Sequence, residues 1–122
     1  MKTGTVNKVF IIGKKGSAHV PLRLSEICLF YYYMKITFAV DASGGKYIID
    51  TSLNDLENMI PPEIYFRVTR QIILNINSIK EFRGTELGKI AITLKAPELL
   101  GDEQIIVSQP TVPLFKEWIS KL

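Results

Sequence analysis

Two strand-length apolar runs, Ile27 to Tyr33 and Ile36 to Val40, are separated only by Met34 and Lys35. Dense in β-branched and aromatic residues, with so short a connection, they suit a tight antiparallel hairpin with Lys35 at or near its tip. Tyr31, Tyr32 and Tyr33 alternate faces in an extended chain, so at least one ring is partly wet. Those rings read either as core and rim packing or as a base-stacking platform.

The rest of the chain repeats the theme. Val6 to Ile12 is β-branched and aromatic, ends at Gly13 and runs into a turn at Lys14-Lys15-Gly16. His19 to Leu24 alternates, and Pro21 inside it marks an edge strand, because proline cannot donate to an inner ladder. Asp41 to Gly45 is a turn signal, after which Lys46 to Ile49 pairs back.

The period then changes. Leu53, Leu56 and Ile60 fall at helical spacing, Ser52 and Asp55 stand as cap and carboxylate partner, and Pro61-Pro62 stops the helix. Tyr65 to Val68 and Ile72 to Ile76 are extended again, interrupted by the polar trio Thr69-Arg70-Gln71. That trio is either an ordinary exposed turn or a loop holding Arg70 outward between rigid strands. Gly84 to Gly88 is a reversal. Lys89 to Lys95 is a period-two strand with Ile90, Ile92 and Leu94 facing in and the other face in solvent. Pro97 to Gln104 is a loop, and Ile105 to Val107 a last strand. Pro113 opens a C-terminal helix whose stripe is Leu114, Trp118 and Leu122, with Phe115 and Ile119 alongside. The fold class expected is mainly β: antiparallel sheets with a short central helix and a C-terminal helix, in one domain over residues 1–122.

With 122 residues, 47% apolar and 22% charged, the chain is too short for two sizeable cores and too apolar for disorder. No run approaches the roughly 18 residues needed to cross a bilayer, and residues 1–20 lack the pattern of a signal peptide, so a cytoplasmic protein is expected. Net charge is only +3, but residues 1–40 carry Lys2, Lys8, Lys14, Lys15, Arg23 and Lys35 against Glu26, leaving the remainder slightly acidic. One part of the molecule is therefore expected to be basic.

Catalytic chemistry finds no foothold. Cys28 is the only cysteine and His19 the only histidine, which removes an internal disulfide and a Cys/His zinc site. Cys28 reads as a small buried hydrophobe and His19 as a surface or half-buried strand residue. Gly44-Gly45-Lys46 lacks the first glycine and the Ser or Thr of a phosphate loop. Ser108 has neither a glycine-flanked elbow nor a histidine base, and Asp50 with Asp55 suits a helix start. No enzyme, cofactor, metal or small-molecule substrate is expected.

Residues 52–75 read Ser-Leu-Asn-Asp-Leu-Glu, then Ile-Pro-Pro, then Tyr-Phe-Arg-Val-Thr-Arg-Gln-Ile-Ile-Leu-Asn. This resembles the LytTR-type DNA-binding domain, which shows a Ser-Leu-x-x-Leu-Glu helix, a proline stop and Phe-x-Arg before a polar trio and a hydrophobic run ending in Asn. Glu26-Ile27, Gly45-Lys46-Tyr47, Val107-Ser108 and Phe115-Lys116-Glu117-Trp118 resemble further family segments in the same order. Nearly the whole chain is covered.

The resemblance implies an elongated antiparallel β domain that binds double-stranded promoter DNA through loops in the major groove. Such a domain is usually the output half of a bacterial two-component response regulator. No receiver-like βα repeat occurs in these residues, so the chain reads as an excised output domain or a stand-alone regulator. The family's DNA-reaching loops fall here on Lys35 with Thr37, on Thr69, Arg70 and Gln71, and on Gln109, Pro110 and Thr111. Arg70 and Arg67 match family arginines, Arg67 as a DNA contact or as a strand residue supporting the site. Thr69 stands for the usual His or Asn, Gln71 for Ser or Lys, and Gln109 for an arginine, so a charged donor is missing. Glutamine still reads adenine bidentately but adds nothing to phosphate attraction. The resemblance also implies homodimers on repeated half-sites. The competing expectation is a protein-interaction or dimerisation domain that keeps the fold without DNA binding.

Overall fold

The structure is a computed structural model describing residues 10–96, 101 and 104–122. Residues 6–9 of the first expected strand, Lys2 and Lys8, and most of the loop expected from Pro97 lie outside the described residues.

The central hairpin forms as its composition dictates. Strands β3 (Ile27–Tyr33) and β4 (Ile36–Asp41) pair antiparallel with Tyr33 opposite Ile36. Met34 and Lys35 form a two-residue loop with φ of 53° and 66°. Strands β1 (Phe10–Lys15), β2 (Ala18–Arg23), β5 (Lys46–Ile49), β6 (Tyr65–Thr69) and β7 (Ile72–Asn75) complete a seven-stranded sheet in the order β2-β1-β5-β4-β3-β7-β6. Pro21 lies in β2, at one edge, where its missing N–H is harmless.

Gly13, expected to end the first strand, lies inside β1, and the turn comes at Gly16, whose φ is +61°. The reason is steric. A Cβ at Gly13 would stand 2.6 Å from Leu22 Cδ1 and 2.8 Å from Tyr47 Cβ, so the glycine lets neighbouring strands close over it. At the β4–β5 turn, Asp41 accepts hydrogen bonds from the Ser43 N–H and hydroxyl, the Gly45 N–H and the Tyr47 hydroxyl. Partial burial acts to raise its carboxyl pKa, but those donors outweigh it and hold it below the ordinary value.

A second sheet contains β8 (Ile79–Gly84), β9 (Ile90–Leu94) and β10 (Ile105–Val107) in the order β10-β9-β8. Ile90, Ile92 and Leu94 are buried as the alternation requires, but Ala91 is buried too, so the outer face of β9 is not wholly in solvent. β8 has no pattern to announce it, since beyond half-buried Ile79 every residue is exposed.

Helix α1 (Leu53–Glu57) begins at Ser52, whose Oγ accepts the Asp55 N–H at 3.1 Å, and buries Leu53 and Leu56. It covers one face of the large sheet, closing a core with Ile11, Leu22, Phe30, Ile49, Tyr65 and Ile73. On the opposite face, Leu29, Val40, Val68 and Leu74 meet Ile90, Ile92, Ile105 and Val107, together with Phe115 and Trp118 of α2 (Val112–Ser120). Alternate residues of β3 thus serve two cores.

The C-terminal helix is rotated from expectation. Phe115 and Trp118 are buried, whereas Leu114 and Leu122 are exposed. Phe115 lies edge-on to Phe66 and Phe82, while Trp118 stacks on Phe66 and donates its indole N–H to the Pro62 carbonyl. Satisfying that N–H and the aromatic cluster together fixes the helix's rotation.

Candidate nucleic-acid interface

Strand directions gather particular loops at one end of the large sheet. β3 and β6 run toward this end, while β4 and β7 run away from it, so the Met34-Lys35 loop and the Thr69-Arg70-Gln71 loop sit side by side. The Tyr32 N–H donates to the Gln71 carbonyl at 2.9 Å and laces the two tips together. Lys35, Arg70 and Gln71 are exposed there. Thr69 is half-buried, and its hydroxyl accepts the Gln71 N–H at 3.1 Å, so it shapes the loop.

Arg67 holds this loop from behind. One terminal nitrogen, Nη1, donates to Asn54 Oδ1 and lies 3.0 Å from Glu57 Oε1, both on α1, while Nη2 donates to the Arg70 carbonyl at 2.6 Å. A single guanidinium therefore clamps helix and loop, using its planar fork as a lysine could not. Its buried Nε is the one orphaned side-chain polar atom among the described residues.

The third predicted segment follows β10. Thr111 joins Thr69, Arg70, Arg67, Asn54 and Leu114 around an open groove of about 690 Å³ beside edge strand β6. Gln109 turns away. Its Nε2 donates to the Leu87 carbonyl and packs on Gly88 in the β8–β9 reversal. Pro110 is exposed in the 3-10 turn that leads into α2. Thr37 is 6% exposed, placed beneath the Lys35 loop, where it can support the tip but presents almost no surface.

Charge is arranged differently from the sequence blocks. Lys14 stands opposite Ile48, which in turn faces Phe38, and Lys46 stands opposite Val40, so with neighbouring Lys15 these lysines sit part-way along the sheet, back from the Lys35 tip. The basic first third is thus not gathered at the tip. Two amines also cover aromatic faces, Lys15 from that first third over Tyr47 and Lys46 from β5 over Tyr31. Asn54 and Glu57, which position Arg67, escape sequence reading because nothing along the chain shows which polar residues of a short helix face a strand.

A buried polar cluster fixes the strands behind the tips. The Tyr65 hydroxyl donates to the Leu24 and Ile27 carbonyls, Asn75 Nδ2 donates to Ile27, and Ser78 Oγ donates to Cys28 and Asn75. These bonds satisfy carbonyls where the β3–β4 register slips between Ile27 and Leu29. Burial pushes the half-buried Cys28 thiol up in pKa, against a lowering bond to Ser78, with Asp41 adding to the rise. It is not poised as a nucleophile. His19 is exposed on edge strand β2.

The fold and this end define a class: a β-rich module that offers paired hairpin tips, carrying one lysine and one arginine, as a rigid surface. Residues 7–120 match the family model of the LytTr DNA-binding domain, and the chain belongs to that family. Among solved structures, it is similar to the LytTr DNA-binding domain of a protein described as a methyl-accepting/DNA response regulator from Bacillus cereus. The TM-score is 0.80 at 19% identity, covering 93% of this chain and 98% of that one. Comparison with curated proteins finds no significant match. No helix among the described residues is long and apolar enough to cross a membrane.

Proposed function

We propose that this chain is the sequence-specific DNA-binding domain of a transcriptional regulator, the output half of a two-component response regulator acting in the cytoplasm. It reads promoter DNA in the major groove through its hairpin tips. The observation that carries this reading is the Tyr32 to Gln71 bond, which holds the Lys35 and Arg70 loops as one projecting edge. A major groove about 12 Å wide admits a two-stranded β-ribbon. Family membership supplies the nucleic acid.

In this reading Arg70 contacts guanine O6 and N7 as a fork, Lys35 meets phosphate, and Gln71 reads an adenine edge. Thr111 lies across the groove from Arg70. Arg67 positions Arg70 through its carbonyl, and Thr37 supports the tip from below. Gln109 must release Leu87 before its amide can read a base. Two copies bind on repeated half-sites, assembling on the duplex.

Selection of the purified domain on a random duplex pool, at low and moderate salt and beside Arg70→Ala, tests the proposal. Enrichment of a defined repeat by the native chain is expected, with the variant losing about 1–3 kcal/mol of discrimination at one base position. The exposure of Tyr32 and Tyr33, 44% and 63%, favours a second reading in which the tips dock a protein. Absence of duplex binding at low salt, or binding indifferent to Arg70, would move the assignment there.

A further inference from the structure

Met34 stands in a backbone conformation that penalises it and a location that gives nothing back. With φ of 53° and 66°, Met34 and Lys35 both occupy the left-handed region, the two-residue geometry that asparagine and glycine ordinarily fill. Neither has a short polar side chain that makes this conformation easy. No burial compensates, since Met34 is 72% exposed, the most exposed large apolar side chain among the described residues. Such strain persists where surrounding structure over-determines it, as β3 and β4 do here through continuous register up to Tyr33 and Ile36.

The thioether's neighbours indicate what it meets. Met34 shares an open pocket of about 390 Å³ with Tyr31, Tyr32, Tyr33, Gln71 and Ile72, and Gln71 belongs to the loop that carries Arg70. Lys35 follows it directly. A flexible, polarisable apolar group beside tyrosine rings and the Gln71 amide, with Lys35 next in the chain, suits a surface that is polyanionic with isolated apolar points. In the major groove that point is the C5-methyl of thymine.

We propose that Met34 is a specificity-determining residue that packs on a thymine methyl, and that the hairpin sacrifices stability to hold it at the tip. This rests on the DNA-binding reading. It adds a thymine position to the half-site, next to the bases met by Arg70 and Gln71.

The test removes the methyl from the DNA and the thioether from the protein. From the duplex enriched by the native chain, each thymine is replaced in turn by deoxyuridine, which preserves Watson–Crick pairing and every phosphate. Affinities are measured for the native chain and for Met34→Gly, with thermal melts of both. At one position the native chain is expected to lose about three- to tenfold on deoxyuridine, while Met34→Gly binds both duplexes alike and melts no lower. An equal deoxyuridine penalty for both proteins, or none at any position, overturns the inference while leaving Arg70-dependent binding intact. Failure of the native chain to enrich any sequence overturns the DNA-binding reading itself, and this inference falls with it.

Discussion

At the scale of single residues, the motif that carries the family resemblance divides into side chains facing out and side chains locking the frame. Arg70 is exposed at the loop, but Arg67, Tyr65 and Asn75 face inward to helix, strand and carbonyl partners. Sequence alone could not separate these roles, because an arginine three residues from another reads the same whether it meets solvent or a helix. Tyr65 gives a pH signature. Burial pushes its phenol up to about 12, against a lowering bond from Asn75 and with Cys28 adding to the rise, so folding stabilises the neutral form. That stabilisation is complete below the unfolded value near 10 and is lost as pH rises through about 12. Resistance of the native chain to urea is therefore expected to fall between pH 10 and 12. Tyr65→Phe should be less stable by about 1–2 kcal/mol at neutral pH and lose less on alkalinisation. An unchanged alkaline slope in the variant would place the loss elsewhere.

At the scale of elements, legibility followed burial on one face. The β3–β4 hairpin, the capped α1 and β9 were readable because their apolar spacing matches the surface each one buries. β8 was not, since its exposed residues leave no alternation, and α2 was misoriented because an indole hydrogen bond outranked a longer leucine stripe. In sequence Gly13 resembles a strand terminator, whereas in the fold it admits Leu22 and Tyr47. Gly13→Ala is expected to destabilise the domain by about 1–3 kcal/mol through overpacking, measured by chemical denaturation. A neutral effect would mean that β1 and β2 can separate without loss. The site was legible as a set of loops and illegible as geometry. Gln109 and Thr37 occupy the expected segments, yet one is tied to Leu87 and the other lies under the tip.

At the scale of the whole molecule, a basic stretch of sequence is not a basic surface. Antiparallel return sets Lys14, Lys15 and Lys46 back along the sheet from Lys35 and Arg70, so on the proposed reading few cations stand at the tips to neutralise phosphate. With two or three such contacts, the logarithm of the binding constant should fall with that of salt at a slope of about −2 to −3. Lys14→Gln with Lys15→Gln should leave that slope unchanged, whereas a drop of about one for each lysine would extend the DNA contact along the sheet to β1. The lacing of Tyr32 to Gln71 has a further consequence. Adjacent strands are spaced by about 4.8 Å, so the two hairpins are centred roughly 10 Å apart and cannot slide relative to each other. Along a duplex rising 3.4 Å per step this distance corresponds to about three base pairs. On the proposed reading the domain is thus a fixed ruler, which accepts an exchanged letter at either mark but not an inserted one between them.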